Sequence, residues 1–178
     1  PLASEGGHAD FAARTETEID LLRFLQTRHG GHVSSERALS GPGLVSIYQF
    51  VVARGLAPAS PSIEAEMRAG DAAAIIGTRG GPGGDPACAR ALSIFVALYG
   101  AEAGNLALKV LPTGGLFLVG GMAPKLIERL RGGDFMQAML DKGRMSGLLA
   151  EIPVAVVTSP HVALFGARAQ ASVLYKAG

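Results

Sequence analysis

Apolar residues recur at spacings of three and four through the middle of the chain, at Leu92, Phe95, Val96, Tyr99, Ala103, Leu106 and Val110. That is the period of one face of an α-helix. It predicts a helix over about 85–111, roughly 40 Å long at 1.5 Å per residue. Gly100 and Gly104 lie inside it. Each costs about 1 kcal/mol relative to alanine in a helix, so the pair predicts a buried central helix that another backbone approaches closely. Shorter helices are expected before it. Thr15, with Glu18 three residues on, reads as an N-cap and capping box. The helix it starts carries Ile19, Leu22 and Leu25 as its apolar stripe and stops at His29-Gly30-Gly31. Ser34-Ser35-Glu36-Arg37 opens a second, and a third is expected over 44–54, burying Leu44, Ile47, Tyr48 and Val51. Residues 62–69 read as a short helix and 72–76 as a helix or a short apolar strand.

The strand signals are of another kind. Ala9-Asp10-Phe11-Ala12 reads as a strand end. Leu116-Phe117-Leu118-Val119 and Val154-Ala155-Val156-Val157 are apolar without alternation, the mark of parallel strands covered on both faces. Helices are expected between them over 125–131 and 135–142. A last helix is expected over 164–175, with Leu164, Ala167, Ala171 and Leu174 facing inwards. Helices alternating with parallel strands make an α/β fold, helix-rich with an incomplete sheet. Two strands are too few for this many helices, so whatever completes the sheet is expected outside the chain.

Composition narrows the partners. The 178 residues are one domain's length, with no second domain required. Sixteen basic and 15 acidic residues leave a net charge of +1 and no basic block, which argues against a nucleic-acid partner. No apolar run reaches the roughly 20 residues of a membrane helix, and residues 1–20 show no secretory signal. The lone Cys88 cannot form an internal disulfide and suits a reducing, cytoplasmic setting. It has no adjacent histidine or lysine to activate it. His29 and His32 lack a cysteine or carboxylate cluster, so no structural metal is expected. The chain opens on Pro1, which fits residues lost upstream and fits methionine removal as well.

Three places carry candidate chemistry. In Glu5-Gly6-Gly7-His8 a carboxylate and an imidazole flank two glycines. Such groups accept and donate hydrogen bonds in the way sugar hydroxyls require, and glycines let a ligand reach the backbone. The simpler reading is a polar turn. Glu36 stands at a helix start, where the helix dipole alone favours an acid. Gly120-Gly121 closes an apolar strand, and ligands of α/β sheets bind beyond the carboxyl ends of strands. A tight strand-to-helix turn fits those glycines equally. The glycine-rich 77–84 segment has neither a P-loop's lysine-serine ending nor G-x-G-x-x-G spacing, and reads as a mobile connector.

Taken in order, Glu5-Gly6-Gly7-His8, Glu36-Arg37, Ser40-Gly41-Pro42-Gly43-Leu44 and Gly104-Asn105-Leu106-Ala107-Leu108 closely resemble the bacterial glucokinase family. So do Gly115-Leu116-Phe117-Leu118-Val119-Gly120-Gly121, Lys142-Gly143-Arg144 and Leu164-Phe165-Gly166-Ala167. Nearly the whole chain is covered, 55–84 most weakly. No cysteine-rich zinc motif of the related repressor and sugar-kinase group is present, which favours the glucokinase branch.

The resemblance implies a two-lobed fold of the actin and hexokinase type, with residues 1–178 forming the carboxy-terminal, large, ribonuclease H-like lobe and the amino-terminal lobe absent. It implies a cytoplasmic transferase of glycolysis that phosphorylates glucose with Mg2+-ATP, often as a homodimer. By motif, Glu5, His8 and Glu36 would bind sugar hydroxyls, and Gly120 and Gly121 would lie against the adenosine. The family's proton-accepting aspartate and its glycine-rich phosphate turns have no counterpart here, so no catalytic residue is expected in this chain. The alternative is a sugar-sensing module derived from such a kinase, fused in its parent to a DNA-binding regulator.

Overall fold

In a computed structural model the described residues are 3–177. Seven helices precede α8: α1 (Glu16–His29), α2 (Ser35–Ala38), α3 (Gly41–Ala53), α4 (Pro61–Ala69), α5 (Ala72–Arg79), α6 (Pro86–Val110) and, after strand β1 (Leu116–Leu118), α7 (Ile127–Arg131). Then come α8 (Asp134–Leu140), α9 (Ser146–Ala150), strand β2 (Val154–Val156) and α10 (Val162–Ala177). Single 3₁₀ turns lie at Gly6–His8, Pro124–Leu126 and Gly143–Met145.

Side chains at the N-caps set the major helix starts. Thr15, Ser40, Asp71 and Asp85 each accept a hydrogen bond from the backbone N–H three residues on, satisfying one orphan donor of the first turn. Pro86 follows Asp85 at the first helical position, where its missing N–H is harmless. The expected box at α1 closes differently. Glu18 accepts the backbone N–H of Arg14 at 2.7 Å and the Arg14 guanidinium at 2.6 Å, so its buried carboxylate is paired with that arginine. The buried stripe of α1 is rotated accordingly. Glu18, Leu21 and Leu25 face the core, while Ile19 and Leu22 are only half-buried.

Helix α6 is the core. Thirteen of its 25 residues are buried, too many for one face; α3, α5 and α8 all pack against it. Leu92, Phe95, Val96 and Ala103 are buried as expected, but Leu106 and Val110, near its carboxyl end, are exposed. By length and composition α6 could cross a membrane, with a mean hydropathy of 1.4 over its most apolar stretch, contrary to the short-run reading of the sequence. Most of that stretch is buried inside this fold.

The two glycines of α6 explain how α8 comes so close. A Cβ placed on Gly104 would stand 2.5 Å from the Met139 carbonyl oxygen, and one on Gly100 would run into that of Phe135. Tyr99 and Phe135 meet edge to face beside them, centroids 5.6 Å apart. Because the obstacle is backbone, it cannot step aside as a side chain would. Gly100→Ala is expected to cost about 1–3 kcal/mol of overpacking, lowering Tm by roughly 2–12 °C at about 2–4 °C per kcal/mol. Gly147→Ala in α9, where none of the described residues outside its own helix turn comes within 4 Å of the added Cβ, should leave Tm unchanged or raise it. Equal shifts for the two variants in a thermal melt would refute the close-packing account.

β1 and β2 pair in parallel, Leu116 opposite Val154 and Leu118 opposite Val156. Only one face of β1 is covered: Leu116 and Leu118 are buried, whereas Phe117 is 62% exposed. The sequence pattern expected cover on both faces. The last helix departs further. Leu164 and Leu174 are 67% and 65% exposed, and Ala167 and Ala171 are exposed too, because no element among the described residues packs along α10. Residues 72–76 are helical, not strand, and α5 runs on through Gly77, Thr78 and Arg79. That shortens the expected 77–84 loop to its second half, which is tied down by the Asp85 N–H on the Arg79 carbonyl at 2.8 Å.

Candidate functional site

Backbone pairing brings the first candidate residues together. Asp10 and Ser34 form an antiparallel bridge; the Phe11 N–H donates to the Val33 carbonyl at 2.9 Å, and the Ser35 N–H to the Ala9 carbonyl at 2.8 Å. The strand end expected at 9–12 thus exists as a single bridge. It lays the Gly6–His8 turn against the start of α2. His8 Nδ1 then lies 3.9 Å from Glu36 Oε2, and the Gly7 backbone faces the Glu36 side chain so closely that a Cβ there would be 3.7 Å from Glu36 Cβ. Glu5 starts the same turn, its carbonyl accepting the His8 N–H at 2.9 Å. All three side chains are exposed. Among the described residues none of the three makes a side-chain hydrogen bond. At 3.9 Å the His8–Glu36 pair is also beyond hydrogen-bond range. A ligand with several hydroxyls would find the uncommitted His8 and Glu36 side chains next to each other, with Glu5 at the start of the same turn.

The second candidate, Gly120-Gly121, directly follows β1. Gly120 has φ +114°, a conformation that suits only glycine. Gly121 has ordinary backbone, and among the described residues nothing but its chain neighbours lies within 4 Å of the place its Cβ would occupy. Gly121 also lines a cleft of about 790 Å³, inside the usual range for small-molecule sites of roughly 300–1,000 Å³. Its walls are the start of α3 (Gly41, Pro42), one face of α5 (Asp71 to Thr78) and the segment Gly121, Met122, Lys125 and Leu126. Most of the lining is apolar, with Lys125 the one cation and Asp71 the one acid. A second groove of about 500 Å³ runs along Phe117, Val119, Gly120 and Gly121 to Glu102 of α6.

The part played by α5 was not legible in the sequence. By composition Gly77 and Thr78 read as part of a connecting loop, yet they line the cleft. The usable signal was Asp71, whose N-cap bond to the Ala74 N–H at 3.1 Å starts the helix. Elsewhere, Cys88 is fully buried, and its thiol is pushed up to about 12, first by burial and then by the Asp85 hydrogen bond. It carries no thiolate chemistry at neutral pH. His32 Nε2 lies 2.9 Å from Asp10 Oδ1. Among the described residues, no group of three or more His, Cys, Asp or Glu side chains is placed to hold a metal.

A family model described as Glucokinase matches residues 1–173. This chain belongs to the glucokinase family. A glucokinase from Nostoc sp. (strain PCC 7120) is 47% identical over 176 residues, which span 92% of this chain and 52% of that protein. The glucokinase of Chromobacterium violaceum is 42% identical over 168 residues, 94% of this chain and 45% of the relative. Among solved structures, a glucokinase from an Antarctic psychrotroph superposes with a TM-score of 0.75 at 33% identity, covering 94% of this chain and 49% of that one. A Balamuthia mandrillaris glucokinase, solved in complex with glucose, gives 0.76 at 18% identity over 89% and 44%; at that identity the likeness is one of fold. The chain spans about half the length of the glucokinases it matches. Its helix-rich body with one small parallel sheet is consistent with part of an α/β kinase lobe.

Proposed function

We propose that this chain is the carboxy-terminal lobe of an ATP-dependent glucose kinase and supplies sugar and adenosine contacts to a site it shares with an amino-terminal lobe. The observation that carries the reading is the open cleft beside Gly121 at the carboxyl end of β1, where α/β folds bind their ligands. In this reading the adenosine enters between α5 and the Gly121 turn, its base against the apolar lining. Lys125, a cation that lines the cleft, takes phosphate oxygens. Glu5, His8 and Glu36 take the sugar hydroxyls, fixing which hydroxyl faces the nucleotide. Phosphoryl transfer depends mainly on such positioning and on charge stabilisation around the transferred group. The nucleotide brings Mg2+ on its β- and γ-phosphates as part of the substrate.

Gly121 separates this reading from a purely structural one. Since among the described residues only its chain neighbours come within 4 Å of its Cβ position, Gly121→Val should fold normally and take up space at the edge of the cleft it lines. The expected result is ATP binding weakened by about 1–3 kcal/mol of steric conflict, or roughly five- to 150-fold in Kd, with glucose binding unchanged. Isothermal titration with each ligand checks it. Unchanged ATP affinity removes the nucleotide from this cleft, and equal losses for both ligands indicate a folding defect.

A further inference from the structure

We propose that Arg129 is a positioning residue for the nucleotide, setting the width of the cleft from behind without touching the ligand; this rests on the nucleotide reading of that cleft. Two of the cleft walls belong to segments far apart in sequence, α5 and the stretch from Gly121 to Leu126. Arg129 lies in α7, one turn beyond Lys125 and Leu126. Its guanidinium Nη2 donates to the Gly80 carbonyl at 2.6 Å and to the Ala89 carbonyl at 3.3 Å. Gly80 is the C-cap of α5, two residues beyond the cleft-lining Thr78. Ala89 is in the first turn of α6. One cation therefore joins the carboxyl end of one wall to the helix that follows the other, and fastens both to the core helix. A cation at the end of α5 also complements its dipole.

Gly80 is fixed from its other side as well. A Cβ there would stand 2.5 Å from Leu92 Cδ1 and 2.9 Å from the Cys88 carbonyl oxygen, so the backbone is seated directly on α6. The Gly80 N–H closes α5 on the Ile76 carbonyl at 3.0 Å. With Gly80 held between α6 and Arg129, α5 cannot swing away from the Gly121 turn unless the Arg129 bonds break. The tie is not optimised for stability alone, because Arg129 Nε is buried with no partner among the described residues, and an unpaired buried donor is unfavourable.

Both bonds leave from one nitrogen, and this makes the substitutions informative. Arg129→Met keeps the apolar stem and loses both donors. Arg129→Lys keeps a charged donor and removes the unpartnered Nε–H. The full chain, wild type and both variants, is titrated with Mg-ATP, adenosine and glucose, with hydrogen exchange followed across 72–84. For Arg129→Met the expected result is adenosine and ATP binding weakened by up to about a hundredfold, the size of loss that a misplacement of about 1 Å by a distant substitution can cause. Glucose affinity stays unchanged and α5 amides exchange faster. Arg129→Lys recovers most of the affinity. Wild-type adenosine affinity in Arg129→Met overturns the positioning role and leaves the nucleotide reading standing. Parallel losses of adenosine and glucose, with no rescue by lysine, overturn it in favour of a merely structural tie. A wild-type chain that binds neither adenosine nor ATP overturns the nucleotide reading, and the inference with it.

Discussion

Purified chain given glucose and Mg-ATP is expected to form no glucose 6-phosphate above background. By family resemblance, the proton of the attacking hydroxyl goes to an aspartate that has no counterpart among these 178 residues, and general base catalysis is typically worth about 10²–10⁴-fold. The same resemblance leaves the glycine-rich phosphate turns outside this chain. ATP would then be held at its adenosine end, with its phosphates free to wander from the sugar. Closure of a cleft between lobes, which excludes water and aligns reactants, needs the other half of the site. A coupled assay for glucose 6-phosphate, run on the chain alone and after addition of the separately expressed amino-terminal lobe, checks this. Robust turnover by the chain alone overturns the shared-site reading, whereas activity that appears only on mixing supports it.

The second large effect is expected at Glu36. Its carboxylate is 64% exposed and caps nothing, since α2 has no side-chain cap bond. Removing it should therefore leave Tm nearly unchanged. In the assembled enzyme, Glu36→Ala should raise the glucose KM strongly: a hydrogen bond to a charged group is worth about 1.5–3 kcal/mol, or roughly ten- to over a hundredfold. Glu5→Ala should behave alike, with the KM for ATP little affected in either variant. Asp10→Ala is the matched control, an exposed carboxylate on the neighbouring bridge whose partner is His32. A Glu36→Ala enzyme with wild-type glucose KM removes that residue from the sugar site.

Where local chemistry decides structure, the sequence was readable. Thr15 and Asp85 announce helix starts because their side chains satisfy first-turn N–H groups three residues on; Ser40 does the same, so the helix expected from Leu44 begins at Gly41 instead. Gly100 and Gly104 announced a close backbone because nothing local rewards glycine in mid-helix. The run at 116–119 named a strand but not its surroundings. Cover for Phe117 depends on neighbours the described residues do not include, and apolar content alone cannot tell a covered face from a bare one. The same holds for Leu164 and Leu174 of α10. The ligand-facing side of α5 was hidden for another reason: Ala72, Ala73, Gly77 and Thr78 carry no distinctive chemistry, and only the fold sets them opposite Gly121. Chemistry and resemblance single out Glu5, His8 and Glu36, but only the Asp10–Ser34 bridge puts His8 beside Glu36.

The packing of α8 onto α6 has a consequence for the order in which the protein is made. A nascent chain that ends before Asp134 carries the complete 25-residue α6 with nothing over the face that holds Gly100 and Gly104. β1 also waits, because its partner β2 begins only at Val154. Contacts distant in sequence form late, and apolar surface left bare meanwhile is prone to association. During that interval α6 has the length and hydropathy of a membrane span, so a targeting factor that senses those two properties alone has no way to tell it from one. Synthesis of Phe135 to Met139 ends the ambiguity, since those residues close over the glycines.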